Sequence, residues 1–139
     1  MNKSLVLKTT LCLILTVCTM VSFSTTGLSA SPSIGGYNVY YGLVHGHSNI
    51  SDGTGTPAQA YQYARDTAGL DFFSLADHAE QISSTEWTNL KNTANSYNQD
   101  GSFVTFWGFE WSSFIYGHVA VINTDDYCKY SLFGSQNTF

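Results

Sequence analysis

Three apolar segments in the middle of the chain are each followed by a histidine or a carboxylate, at nearly constant intervals. His45, His78 and Glu110 follow successive segments and are separated by 33 and 32 residues. An interval of that length is typical of one strand–helix–strand unit. Because the strands of such units end at one edge of a parallel sheet, the spacing predicts an α/β fold that gathers these three side chains at that edge.

Four segments predict the strands of this sheet. Residues 37–45 are rich in β-branched and aromatic side chains, and residues 70–76 are nearly continuous in apolar character, as buried parallel strands are. Residues 103–109 and 118–123 predict a third and a fourth strand.

Two segments between the strands predict helices. Thr56 can cap the first helix, Pro57 suits its first position, and Gly69 suits its end. Ser83 and Glu86 have the spacing of a capping box before the second helix. The resulting order, β-α-β-α-β-β, predicts an α/β domain with a largely parallel sheet or part of a barrel.

The first thirty residues have the layout of a secretory signal peptide. Lys3 and Lys8 form a basic start, an uncharged apolar run covers residues 11–23, and small residues allow cleavage after Ala30. The run is shorter than the roughly 20 residues that a membrane span needs. We therefore expect a secreted or cell-surface protein without a stable membrane span after cleavage, and a flexible lead-in at residues 31–36.

The composition of the remaining 109 residues excludes two classes of protein. This part of the chain has three basic and ten acidic residues, so its net charge is −7 and it lacks the basic patch with which proteins bind nucleic acid. Cys128 is the single cysteine after residue 30, so an internal disulfide framework is excluded. Stability must then come from a hydrophobic core or from a bound metal.

The polar residues at the predicted strand ends have the chemistry of metal ligands. His45 and His47 stand at i and i+2, so they point to the same side at a strand end. The further candidates are Asp52, His78, Glu110 and His118. Imidazoles combined with carboxylates suit Zn²⁺, Mn²⁺ or Fe²⁺, and a carboxylate can bridge two such ions. A metal-activated water can then act as the nucleophile, without a catalytic serine or cysteine.

Simpler interpretations exist for each of these residues. The first two histidines could be polar groups satisfied by hydrogen bonds, and His118 could be structural at the start of a strand. Asp52 could cap its turn through its side chain. Glu110 lies among aromatic residues and needs a partner, which could be a metal or an arginine, Arg65 being the one available.

The segments "HGHSNISDG", "SLADHAE" and "GFEWSS…GHVAVI" resemble successive motifs of the PHP (polymerase and histidinol phosphatase) superfamily, most closely its carbaryl-hydrolase-like branch. The resemblance covers residues 40–123 and implies a distorted (β/α)7 barrel with a metal centre. It implies that His45 and His47 bind one metal, which Glu110 bridges to a second metal bound by His118. It also implies that Asp52 and His78 face a third metal, with Asp77 orienting a ligand from behind.

The chain departs from the family's pattern after residue 118. It has no later histidine and lacks the C-terminal Asp-x-His pair, and Cys128 could stand in for a later thiolate ligand. The 109 residues are also fewer than half of a barrel of about 250. We therefore expect residues 37–139 to form the N-terminal part of an incomplete (β/α)7 barrel, from a longer enzyme.

The leading functional hypothesis is a secreted or surface metal-dependent hydrolase with two or three Zn, Mn or Fe ions in the full-length parent. Its substrate would be a small-molecule phosphoester, with a carbamate or carboxyl ester also open, and the fragment alone could be inactive. The alternative is a non-catalytic metal-binding or surface interaction module derived from a PHP domain. A DNA-linked proofreading domain is disfavoured by the signal peptide and the acidic charge.

Overall fold

The computed structural model describes residues 32–128 of the 139-residue chain, so the predicted signal peptide lies outside the described residues. The elements are β1 (Ser33–Ile34), β2 (Tyr37–Asn38), β3 (Gly42–Gly46), α1 (Pro57–Asp66), β4 (Phe72–His78), α2 (Ser84–Tyr97), β5 (Val104–Ser113) and β6 (Gly117–Ile122). The prediction of a mixed α/β fold is confirmed.

The main sheet has four strands in the order β3-β4-β5-β6. The first three strands are parallel to one another, and β6 runs antiparallel to β5. The edge strands β3 and β6 nevertheless approach each other, so the sheet is curled. This curl brings side chains from all four strands toward one concave surface.

Both helices begin where the sequence predicts. Thr56 forms a capping box with Gln59 ahead of Pro57, and Ser83 forms one with Glu86 ahead of α2. Each box satisfies backbone N–H groups that a helix leaves without an internal partner. Gly69, at φ +63°, lies in the left-handed region just beyond α1, where the chain turns toward β4.

The helices pack on one face of the sheet and form the hydrophobic core. Its buried members come from both helices and from the strand faces toward them: Tyr61, Ala64, Phe73, Leu75, Leu90, Ala94, Phe103 and Phe109. The Tyr61 hydroxyl donates a hydrogen bond of 2.6 Å to the Phe106 carbonyl, which ties α1 to β5. Burial raises the pKa of Tyr61 above its ordinary value.

Several segment boundaries differ from the sequence prediction, and β4 ends at His78 where the predicted strand ended at residue 76. The strand predicted over residues 37–45 is divided, because its first residues pair with β1 in a separate hairpin that includes part of the predicted flexible lead-in. Gly35 and Gly36 both have positive φ, as a two-residue hairpin turn requires. β5 also extends to Ser113, because its last residues pair with β6. None of the helices within residues 32–128 is long and apolar enough to cross a membrane.

Candidate metal centre

A β-bulge positions the first histidine of the site. Leu43 pairs with Phe73 and Gly46 pairs with Leu75, so β3 has one more residue than β4 across this interval. Bulges of this kind change the direction of side chains and recur beside active sites. His45 lies within the bulge, and its Nε2 is 3.0 Å from Nε2 of His47, just beyond the strand.

The register of β4 and β5 places His78 beside Glu110. The two residues are partners in the parallel ladder, and the distance from His78 Nδ1 to Glu110 Oε2 is 3.2 Å. Because successive side chains of a strand alternate between faces, Asp77 lies on the opposite face, toward the helices.

Glu110 is a buried carboxylate, with 5 % of its side chain exposed, and all four histidines of the chain surround it. Its Oε2 lies near His45 Nε2 (3.6 Å), His47 Nε2 (3.3 Å) and His78 Nδ1 (3.2 Å), and its Oε1 is 2.8 Å from His118 Nδ1. Neither cation within residues 32–128 reaches it, since Arg65 pairs with Asp66 and Lys91 donates to the Asp125 carbonyl. The arginine alternative for Glu110 is therefore wrong.

Asp52 joins the cluster from the turn of residues 48–53. Its Oδ1 is 2.5 Å from His47 Nδ1, and its Oδ2 is 3.7 Å from His78 Nε2. The hydrogen bond with His47 lowers the pKa of Asp52. Gly53 closes the turn, where a Cβ atom would lie 2.2 Å from the carbonyl oxygen of His47, so only glycine fits.

Asp77 supports this turn from behind. Its carboxylate is fully buried and accepts hydrogen bonds from Ser48 N (2.7 Å), Ser48 Oγ (2.9 Å) and Ser51 Oγ (2.7 Å). The family resemblance implied that Asp77 orients a ligand, and this role stays a prediction. In the structure it contacts the turn that carries Asp52 and follows His47, so any effect on the ligands passes through Ser48 and Ser51.

The six predicted ligands thus form one cluster, which we call the histidine–carboxylate cluster: His45, His47, Asp52, His78, Glu110 and His118. Three overlapping groups within it have donor atoms that all lie within 4.8 Å of one another: His45, His47 and Glu110; His47, Asp52 and His78; and His78, Glu110 and His118. Cys128 belongs to none of these groups and packs against the hydrophobic core. The roles of these residues as ligands stay a prediction.

The geometry of the first group fits a divalent metal. Zn–N bonds of about 2.0–2.1 Å place the ligand atoms of a tetrahedron roughly 3.3 Å apart. The donor atoms of His45, His47 and Glu110 are separated by 3.0, 3.3 and 3.6 Å. The combination of imidazole nitrogens and one buried carboxylate is the donor set that Zn²⁺, Mn²⁺ or Fe²⁺ accepts.

Two residues beside the cluster were missed in the sequence. Ser112 Oγ is 2.9 Å from His78 Nδ1, and Glu80 Oε1 is 3.6 Å from the same nitrogen. Ser112 lies two residues beyond Glu110 on the same strand, so the period of two could have placed them on one face. Glu80 follows the end of β4, where no strand periodicity applies.

Two cavities lie at opposite ends of the strands. One of about 220 Å³ adjoins the cluster and is lined by Glu80, Ser112, Ser113, Phe114 and His118. The other, about 510 Å³, lies where the strands begin and is lined mainly by apolar residues, Phe72, Val104 and Phe106 among them. Size alone does not identify the functional site, because the larger cavity holds none of the histidines.

These features define an α/β protein with a histidine–carboxylate centre at the carboxyl edge of its parallel strands. Comparisons with known proteins match part of the chain. The family model described as "Protein of unknown function (DUF3604)" matches residues 66–127. An uncharacterized protein of Chlamydia pneumoniae is 29 % identical over 77 residues, which are 54 % of this chain and 12 % of that protein.

Comparison with solved structures gives one similarity in fold and one weaker match. A two-domain protein from Bacteroides vulgatus, containing a predicted PHP-like metal-dependent phosphoesterase, has a TM-score of 0.51 and 25 % identity over 69 % of this chain. A candidate metal-dependent phosphoesterase from Bifidobacterium adolescentis has a TM-score of 0.42 and 24 % identity over 59 % of this chain. The chain spans 29 % and 27 % of those two chains. The first similarity supports the PHP superfamily resemblance.

Proposed function

We propose that this chain carries the metal centre of an exported metal-dependent phosphoesterase of the PHP superfamily, from its carbaryl-hydrolase-like branch. The observation that carries the proposal is the environment of Glu110, a buried carboxylate with four histidines around it and no lysine or arginine in contact within the described residues. A carboxylate removed from water needs a compensating positive charge. A divalent cation supplies that charge and uses the neighbouring imidazoles as ligands.

The cluster can serve two metals at once without sharing a histidine. The group of His45, His47 and Glu110 and the group of His78, Glu110 and His118 have Glu110 alone in common. A carboxylate has two oxygens and can bridge, whereas a neutral imidazole has one nitrogen lone pair to offer. The third group, with Asp52, takes one histidine from each of the other two groups. Zn²⁺, Mn²⁺ and Fe²⁺ all suit this donor set.

The residues around the ligands hold them in place. Ser112 Oγ lies 2.9 Å from His78 Nδ1 and contacts that imidazole on the side that faces Glu110. Asp77 fixes the turn of residues 48–53 and thereby Asp52. A divalent metal bound here would supply an activated water and a Lewis acid for an ester that carries negative charge.

Small-molecule phosphoesters are the proposed substrates. The phosphoesterase described for the Bacteroides vulgatus protein supports this choice. The cavity of about 220 Å³ beside His118 has room for a small organic group next to the metal ligands. The basic start and apolar run of residues 1–30 support export, which N-terminal sequencing of the protein secreted by an expressing bacterium would test.

A metal analysis combined with a phosphatase assay tests the proposal. We expect purified protein to bind Zn²⁺ or Mn²⁺ and to hydrolyse p-nitrophenyl phosphate, and we expect Glu110→Gln to lose both properties. Asp66→Asn is the matched control, because Asp66 is an exposed carboxylate that pairs with Arg65 on α1. Protein that binds no metal would overturn the proposal.

Metal binding without catalysis is the second candidate function. It is favoured by the exposure of the ligands around the buried Glu110, since the side chains of Asp52 and His118 are 64 % and 53 % exposed. Catalytic metal sites generally exclude bulk water. Tight metal binding by a chain that turns over no phosphomonoester, phosphodiester or carboxyl ester would establish this second function.

A further inference from the structure

The hairpin that joins β5 to β6 ends in three consecutive large apolar residues. Phe114, Ile115 and Tyr116, which we call the hairpin tip, are 98 %, 79 % and 78 % exposed. Single exposed apolar residues are common on protein surfaces, but a contiguous patch marks a site of binding. The hairpin tip is therefore a candidate binding surface. Its position indicates which kind of chemical group it binds.

The hairpin tip is held in a defined conformation. The hydroxyl oxygen of Ser113 accepts hydrogen bonds from the backbone N–H groups of Ile115 (3.3 Å) and Tyr116 (3.2 Å). Gly117, at φ +83°, ends the loop in the left-handed region that three-residue hairpin loops commonly use. The backbone that carries Phe114 is thus held by an ordered turn, which presents its side chain to solvent.

Phe114 shares a cavity with the histidine–carboxylate cluster. The cavity of about 220 Å³ is lined by Phe114 and Ser113 together with His118 and Ser112, which contact Glu110 and His78. An apolar cavity of about 150 Å³ holds one benzene molecule. The space is therefore sufficient for one ring or a short aliphatic group.

The charges around the cavity indicate that this group is not anionic. Glu80, also in the lining, carries a carboxylate that is 34 % exposed, and the serine hydroxyls add no positive charge. A second anionic group on the substrate would be repelled by Glu80, whereas an uncharged ring would contact Phe114 and cover its apolar surface.

We propose that the hairpin tip, through Phe114, forms a subsite for an uncharged apolar group, an aromatic ring above all, on the ester whose anionic end lies at the histidine–carboxylate cluster. This inference rests on the proposed function and adds the substrate class. Aryl esters would be bound in preference to esters of methanol or other short alcohols.

Binding of two inert phosphonates tests the inference without relying on turnover. The full chain is loaded with Zn²⁺ or Mn²⁺ and titrated calorimetrically with phenylphosphonate and with methylphosphonate. We expect phenylphosphonate to bind roughly tenfold more tightly, as one aromatic contact provides. In Phe114→Ala that ratio should fall to about twofold or less.

Ile115→Ala is the matched control, because Ile115 belongs to the same hairpin tip, is similarly exposed and does not line the cavity. It should keep the wild-type ratio. Equal binding of the two phosphonates by the wild-type chain, or an unchanged ratio in Phe114→Ala, would overturn this inference and leave the proposed function standing. Failure of the metal-loaded protein to bind either phosphonate would overturn both.

Discussion

His78 lies directly opposite Glu110 in the parallel ladder of β4 and β5, with its Nδ1 3.2 Å from Glu110 Oε2. The contact joins the neighbouring strands through side chains as well as backbone, and it lies at the centre of the cluster. Strand pairing and the candidate metal centre therefore involve the same residues, so a change in strand pairing should also change the arrangement of the cluster.

Glu110→Gln should weaken metal binding by more than about 100-fold. The substitution removes the negative charge of the one carboxylate that belongs both to the group with His45 and to the group with His118. The measurement is a competition titration against a chromophoric chelator. Asp66→Asn should leave the affinity unchanged. Equal affinities of wild type and Glu110→Gln would show that the histidines bind metal without the carboxylate.

Metal binding should raise the thermal stability of the protein, since the ligands converge only in the folded chain. A free metal concentration 100 times Kd adds about 2.7 kcal/mol to the free energy of unfolding. For a domain of this size we expect Tm to rise by about 10 °C or more, and EDTA to reverse the change. Calorimetric scans that coincide with and without metal would contradict this expectation.

Asp77→Asn should destabilise the fold by about 1–3 kcal/mol, because the substitution removes the negative charge that strengthens the hydrogen bonds from Ser48 and Ser51. Urea denaturation measures the loss. Ser51→Ala removes one of the hydrogen bonds and should cost about 1 kcal/mol. The two losses should not add in the double variant, since both act on one contact. Additive losses would show that the residues act independently.

Tyr61→Phe should change how the free energy of unfolding depends on pH in the alkaline range. Burial raises the pKa of Tyr61 above its ordinary value of 10.0, so above that pH the unfolded chain releases a proton that the folded chain retains. The stability that this difference contributes is present below pH 10 and is lost as the pH rises toward the folded-state pKa.

The phenylalanine variant lacks this titration. It should be about 1 kcal/mol less stable at pH 7, because the Phe106 carbonyl loses its hydrogen-bond donor. Its free energy of unfolding should then fall less steeply than that of the wild type between about pH 10 and 11. Parallel declines, measured by urea titration at each pH, would mean that another group controls the alkaline transition.

The helices and the order of elements could be predicted because local signals specify them. Thr56 with Pro57 and Ser83 with Glu86 mark both helix starts through contacts within one turn of the chain. The division of the first strand could not be predicted, since it depends on which partner each half pairs with. The extension of β5 to Ser113 likewise depends on its pairing with β6.

The convergence of the cluster could be predicted from strand-end positions and the period of two. The contacts of Asp77 could not, because they depend on how the turn of residues 48–53 folds back. That path is fixed by the close approach of Gly53 to His47, which no periodicity describes. The hairpin tip is visible in the sequence, but the cavity that Phe114 shares with Glu80, Ser112 and His118 emerges only from the structure.

The alternation of Asp77 toward the helices and His78 toward the cluster has a consequence for folding errors. If β4 slipped by one residue against its neighbours, the carboxylate would turn to the concave side and the imidazole would enter the hydrophobic layer. A bound cation would then lose a ligand at the same moment that the core gained a polar ring. A cation bound at the centre would thus stabilise the native register of β4 relative to the register that is shifted by one residue.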